Sequence, residues 1–321
     1  MGTAVTTELL SGVETLVRLL VIRHELDRAA GLTTATMVSG YPGSPLGTFD
    51  LSLERSGAQL AEHRIVHRPG LNEELAAATV WGSQMGAAVA YDGIDGVAGA
   101  WYGKTPGLDR SGDAMKHANA MGAGPNGGVV MFCGDDPTAK SSTLTCDSQP
   151  TFADACMPVL YPGNPQEVLD LGVHAFHLSR YSGAWVGMKI VTAVADGIGT
   201  VDLALDRHHP QLPTDVVIDG EPWHHQPLRT VGPHAVPNQE LLVSVHRLAA
   251  AQAYARHNEL DRVVGAEPGA PLGIVCAGKT TYDVRQALTD LGITPDDLAD
   301  AGIRVLELAM VYPLVETTIE T

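Results

Sequence analysis

The chain has 321 residues, of which 45% are hydrophobic, 18% charged and 5% aromatic, with 35 glycines and 20 prolines. Its 20 Lys and Arg stand against 37 Asp and Glu, a formal charge of −17. With no basic run, that balance lacks the electrostatic footprint of a nucleic-acid binder, and any anionic ligand has to be held by local donors against the overall field.

The first predicted element is a long helix over Ser11 to Gly31: Ser11 and Glu14 form a capping-box pattern, apolar residues recur at helical spacing, and Gly31 is a stop signal. "TATMVSGY" reads as a strand that ends in the turn-rich "GYPGSPLGT". A helix over about Asp50 to His63 and a short strand at "RIVHRP" follow. "NEELAAATVWGSQMGAAVA", from Asn72, is an Ala-rich, nearly uncharged helix that opens on two acids, Glu73 and Glu74. "GVAGAWYG" is a strand, "GLDRSGDAMKHANAM" a polar-faced helix, and "GGVVMFCGDD" a strand ending in two acids. A loop is expected to about Pro150, then a helix entered through Pro165 and a strand at "AWVGMKIVTAV". Strands alternating with helices at this spacing predict an α/β fold, a doubly wound and mostly parallel sheet covered on both faces, over residues 1–205. Residues 206–238, rich in Pro and His with no period, read as a linker. Residues 239–321 predict a helix over about Gln239 to Leu260 and one β-α-β unit from "PLGIVCAGKTTYDVRQALTDLGI" and "GIRVLELAMVYPL". One such unit cannot close a core by itself, so this second α/β domain is expected to be incomplete, apparently truncated.

Several motifs fail on their context. "GAGPNG" (Gly122 to Gly127) follows a helix and precedes a strand, the reverse of a dinucleotide site, and reads as a turn. "GDDPTAKSS" has Ala139 where a phosphate loop needs Gly, and two aspartates where backbone donors should meet phosphate. The pairs His208/His209 and His224/His225 lack partners at ligand spacing and read as solvated linker histidines, so no metal site is assigned. There is no G-x-S-x-G. The four cysteines show no C-x-x-C, which supports neither a zinc ribbon nor an iron–sulfur cluster and fits reduced thiols in a cytoplasmic protein. No leader pattern is seen, and no apolar run reaches the ~18 residues a membrane span needs.

Taken from the residues alone, Glu73 and Glu74 have two readings. They can complement the positive end of the helix, at roughly 0.3–1 kcal/mol each, or one can be a buried, functional carboxyl. "SGYPGSPLGTFD", "NEELAAATVWGSQMGA", "AWYGKTPGLDRSGDAMKHAN", "GPNGGVVMFCGDDPTAKSSTL", "LSRYSGAWVGMKIV" and "GKTTYDVRQALTDLGI" together resemble indolepyruvate ferredoxin oxidoreductase, specifically the N-terminal part of its long, fused bacterial form. The motifs arrive in the family's order and cover about Ser11 to Leu314.

The resemblance implies a thiamine diphosphate-binding fold of the pyrimidine-binding type, acting in oxidative decarboxylation of arylpyruvates with coenzyme A as acyl acceptor and ferredoxin as electron acceptor. It implies that Glu73 bonds the cofactor's aminopyrimidine, favouring the imino tautomer whose nitrogen can take the proton from the thiazolium carbon; burial would raise that carboxyl's pKa toward neutrality. Tyr41, Gly43 and Ser44 occupy matching positions of the loop that lines the pocket. Gly43 permits close approach to the cofactor, and Ser44 is a donor for the substrate carboxylate. Lys104 and Arg110 are further carboxylate partners, Arg as a planar bidentate one. Asp135, Asp136 and Lys140 are expected beside the site. The family's Mg²⁺-binding G-D-G is missing: Gly112-Asp113-Ala114 and Gly134-Asp135-Asp136 lack the last Gly. Mg²⁺, diphosphate and iron–sulfur sites would therefore lie on a partner chain or domain carrying the diphosphate-binding fold. An inactive remnant, a non-catalytic interaction module, or a subunit for pyruvate or branched-chain 2-oxoacids are the alternatives. An apolar surface left by missing partner domains would make the protein oligomeric.

Overall fold

The computed structural model describes residues 6–86, 93–139, 144–228 and 236–319. β1 (Thr7–Ser11) leads into α1 (Gly12–Ala29) through the expected capping box, in which Ser11 Oγ accepts the Glu14 N–H and the Glu14 carboxylate accepts the Ser11 N–H. After β2 (Thr34–Gly40), the single helix expected to His63 is two, α2 (Phe49–Arg55) and α3 (Gly57–Glu62). They part where Ser56 leaves helical geometry ahead of Gly57, a poor residue for a helix interior. β3 (Ile65–His67), α4 (Glu73–Gly86) and β4 (Gly96–Lys104) follow as read. The polar-faced helix is also two, α5 (Thr105–Arg110) and α6 (Gly112–Met121), broken at Ser111 ahead of another Gly; α5 starts early because Pro106 suits a helix's first turn.

β5 (Val129–Asp135) ends in the acids as expected. Beyond it lie α7 (Gln149–Asp154) and β6 (Val159–Leu160), a strand of two residues and too short for any periodicity to announce. α8 (Pro165–Ser182) is capped by Asn164 and ended by a left-handed Gly183. β7 (Val186–Val191), α9 (Thr192–Ala195) and β8 (Ile198–Asp202) complete this half, β8 pairing antiparallel with β1.

The segment read as a linker or extended crossing carries a small antiparallel pair, β9 (Val217–Ile218) and β10 (Glu221–Pro222). Its histidines are not all solvated. His209 and His224 are exposed, but His208 is buried and His225 is tucked against the Ala123 carbonyl, 2.9 Å from its Nε2. In an extended chain neighbours face opposite ways, so one of each pair turns inward. α10 (Val236–Leu241), a π-helical turn and α11 (Arg247–His257) form one helical run. The buried Arg247 donates to the Asn119 and Ala120 carbonyls in the last turn of α6, a favourable place for a cation.

β11 (Arg262–Gly265), β12 (Leu272–Ala277), α12 (Lys279–Asp290), α13 (Pro295–Asp300) and β13 (Ile303–Leu308) build a three-stranded sheet of order β11-β13-β12. Its parallel β12/β13 pair is the expected β-α-β unit. "GIRVLELAMVYPL" is not one strand, however. At Ala309 the chain turns, β14 (Met310–Tyr312) joins the main sheet, and α14 (Glu316–Ile319) follows. Asp261 holds this corner: its Oδ1 accepts the Ala309 N–H at 2.8 Å and the Met310 N–H at 3.1 Å.

The main sheet has the order β14-β6-β7-β5-β4-β2-β3, parallel but for β14. Alternate residues of its strands serve two cores. Ala100, Tyr102 and Phe132 face α1 and α8; Trp101, Met131 and Cys133 face α4 and α6. This is the doubly wound α/β architecture, with helices on both faces. Among the described residues no helix is long and apolar enough to cross a membrane.

Candidate active site

The chain leaves β2 for β3 on one side and resumes at β4 on the other. The crevice above the carboxyl ends of β2 and β4 is therefore the topological switch point, where open α/β sheets take their ligands.

The segment from β3 to α4 is pinned to the end of β2. The Arg68 N–H donates to Val38 O (2.8 Å), the Gly70 N–H to Gly40 O (2.9 Å), and Ser39 Oγ–H to Arg68 O (2.6 Å). Asn72 then caps α4, its Oδ1 accepting the Leu75 N–H at 2.9 Å. Glu73, the next residue, is buried with 9% exposure, while Glu74 faces solvent. Trp101 Nε1–H fixes the Glu73 carbonyl at 3.0 Å. The Glu73 carboxyl has no hydrogen-bond or ion-pair partner among the described residues. It rests against Gly107 of α5, where a Cβ would stand 2.5 Å from Oε1 and 2.7 Å from Cδ. Only glycine leaves room for it. With Asn72 as the cap, this carboxyl is not needed to end the helix, and a buried carboxyl with no partner is costly unless something else bonds it.

The "GYPGSPLG" loop rises from β2 beside it. Tyr41 donates its N–H to Tyr102 O at 3.0 Å, with its side chain exposed at the rim. Gly43 lies under the Lys104 stem, where a Cβ would be 3.1 Å from Cγ and 3.2 Å from Cδ. Lys104, at the end of β4, is half-buried and pairs with no carboxylate among the described residues. Ser44 is half-buried, and Pro45 after it covers Gly134 at the end of β5. Glu73, Gly43 and Lys104 are thus gathered at the switch point, with Tyr41 and Ser44 on the adjoining loop. Arg110, at the far end of α5, is exposed and not drawn into the crevice.

Asp135 and Asp136 are both buried. Asp135 accepts from Thr105 Oγ1, and from the Ser148 N–H and Oγ–H at 3.0 Å each. Burial pushes its carboxyl above the usual range, against the Thr105 and Ser148 donors and Lys189. Asp136 accepts from Thr192 Oγ1 at 3.2 Å and Thr138 Oγ1 at 3.3 Å. Lys140 lies outside the described residues. No group of three or more His, Cys, Asp or Glu among the described residues could hold a metal ion. Sequence reasoning missed Gly107, Thr105, Ser148 and Lys189; the Thr-Pro-Gly string after a strand was the available signal for the first two.

Residues 261–321 match the model of the indolepyruvate oxidoreductase domain family. Indolepyruvate oxidoreductase subunit IorA of Methanothermobacter thermautotrophicus is 27% identical over 293 residues, 91% of this chain and 43% of that protein. The IorA subunit of Thermococcus kodakarensis is 24% identical over 92% of this chain and 42% of the relative. Over most of its length the chain is thus similar to indolepyruvate oxidoreductase subunits. It spans less than half the length of these curated relatives. The fold agrees: 2-oxoglutarate:ferredoxin oxidoreductase from Magnetococcus marinus superposes with a TM-score of 0.68 at 15% identity, covering 98% of this chain and 56% of that one. Both the family resemblance carried by the motifs and the α/β fold implied by it hold. These relatives are named as oxidoreductases.

Proposed function

We propose that this chain provides the aminopyrimidine-binding half of a thiamine diphosphate-dependent 2-oxoacid:ferredoxin oxidoreductase whose substrates are arylpyruvates such as indolepyruvate. The observation that carries this reading is the Glu73 carboxyl, buried, without a partner, and held at the switch point by a capped helix, a tryptophan and a glycine. That arrangement fits the cofactor: Glu73 would bond the aminopyrimidine, and Gly43 lets the loop approach it closely. Bound thiamine diphosphate would supply the electron sink for decarboxylating a 2-oxoacid.

The protein's own part is proton handling and orientation. Glu73 would hold or give a proton at its carboxyl oxygens. Lys104 and Ser44 would receive the substrate carboxylate, with Arg110 at the periphery. Asp135 and Asp136 flank the site at the end of β5; Lys140, expected beside them, lies outside the described residues. A partner chain or domain carries the diphosphate, Mg²⁺ and iron–sulfur sites, and coenzyme A and ferredoxin take the acyl group and the electrons. The test is to pull the tagged chain from its native cells and assay the eluate for indolepyruvate-dependent reduction of an artificial acceptor, with coenzyme A, thiamine diphosphate and Mg²⁺. Activity that disappears in Glu73→Gln supports the reading; a chain that elutes alone and inactive refutes it.

A further inference from the structure

α5 begins at Thr105, between two residues that both touch the candidate site. Lys104 precedes it and lays its stem over Gly43; Gly107 follows it and faces the Glu73 carboxyl. Where Thr105 is held therefore decides where both of those contacts fall. Thr105 donates its hydroxyl to Asp135, which is 1% exposed at the end of β5. The other carboxylate oxygen of Asp135 accepts both the N–H and the Oγ–H of Ser148, from the turn before α7. Lys189 Nζ, from β7, lies 3.6 Å from Asp135 and 2.7 Å from Asp147, and 5.0 Å over the Tyr161 ring. A buried carboxylate is tolerated only when its lone pairs are met and its charge is paired. Here Thr105 at the start of α5, Lys189 of β7 and the turn at Ser148 each supply a group to meet it. Asp135 touches neither Glu73 nor the crevice directly, so its effect on the site passes through Thr105.

We propose that Asp135 is a positioning residue for the Glu73 site: its bond to Thr105 fixes the start of α5, and so sets Lys104 against Gly43 and Gly107 against the Glu73 carboxyl. This rests on the function proposed above only as far as catalysis is concerned; the clamp itself is a property of this chain. Ser148 and Lys189 complete the clamp by meeting the second oxygen and the charge, while Thr105 alone transmits it.

Two measurements test it. Hydrogen exchange on the chain alone should show residues 105–111 exchanging about tenfold faster or more in Asp135→Asn and Thr105→Val, with α8 unchanged, since local opening is cooperative within an element. Thr105→Ser, which keeps the hydroxyl, should exchange as the wild type does. In the partner-bound complex, assayed at a temperature where every variant stays folded, Thr105→Val and Asp135→Asn should lower kcat about tenfold or more with a smaller change in KM, and Thr105→Ser should restore kcat. Exchange that stays at the wild-type rate in residues 105–111, or that rises uniformly over the chain, overturns the clamp. Equal kcat in Thr105→Val and Thr105→Ser overturns its role at the site. A wild-type complex with no 2-oxoacid activity sinks the proposed function instead, and the exchange result then decides the clamp by itself.

Discussion

Adding one methyl group at Gly107 should silence the site without unfolding the protein. A Cβ there would lie 2.5 Å from Glu73 Oε1 and 2.7 Å from Cδ, whereas ordinary contact begins at 3.4 Å. The Glu73 carboxyl must therefore retreat by about 1 Å, and it can, because it ends a flexible side chain. A misplacement of that size costs roughly 100-fold in rate where geometry matters. The fold should suffer little. Overpacking costs about 1–3 kcal/mol, and the change from Gly to Ala within α5 returns up to about 1 kcal/mol of helix propensity. Gly112→Ala is the control, since a Cβ at Gly112 meets nothing within 4 Å. The assay is 2-oxoacid-dependent acceptor reduction by the partner-bound complex, beside urea unfolding of each variant. A Gly107→Ala complex at full rate, under conditions where Glu73→Gln is inactive, would refute the argument that Gly107 exists to seat that carboxyl.

Glu73→Gln, nearly isosteric, should keep the melting temperature and abolish activity; an unfolded variant would make the residue's job structural. Acid should weaken the fold through three histidines, His174, His177 and His225, which burial pushes down to about 4. Below an ordinary pKa of ~6.5 the unfolded chain takes up protons that the folded one refuses, so stability is level above neutrality and falls as pH drops from 6.5 toward 4, by up to about 1.4 kcal/mol per pH unit for each imidazole. Urea midpoints that stay flat from pH 7.5 to 5 would contradict this. Asp261→Ala removes the acceptor of two backbone N–H groups at the turn into β14, and should cost about 1–3 kcal/mol in urea unfolding; a loss under about 0.5 kcal/mol would mean the corner holds without it.

The long elements of the main sheet were legible because each carries its own signal. Ser11 with Glu14, Pro165 after Asn164, and Gly183 mark helix ends by chemistry that acts within a few residues. β6 was not legible, because two residues hold no period, and its existence depends on β7 and β14 lying beside it. The break at Ala309 was hidden for a similar reason: the apolar run is continuous, and only Asp261, far upstream in the chain, turns it from one sheet to another. Glu73 could be chosen over Glu74 through the resemblance, whereas spacing left both open; the structure separates them by burial. Gly107 was invisible as a site residue, since what it contributes is an empty volume whose shape depends on a side chain over thirty positions away.

β14 also has a consequence for how the protein is made. Met310 pairs with Leu160 across about 150 residues of intervening chain, which a ribosome adding about 5–20 residues per second takes roughly 8–30 s to deliver. For most of that interval, once β7 (Val186–Val191) has followed, the outer edge of β6 waits unpaired beside the sheet. At two residues in length it offers a passing strand little to grip, so the brevity that hid β6 from sequence reading also protects the nascent chain until β14 arrives.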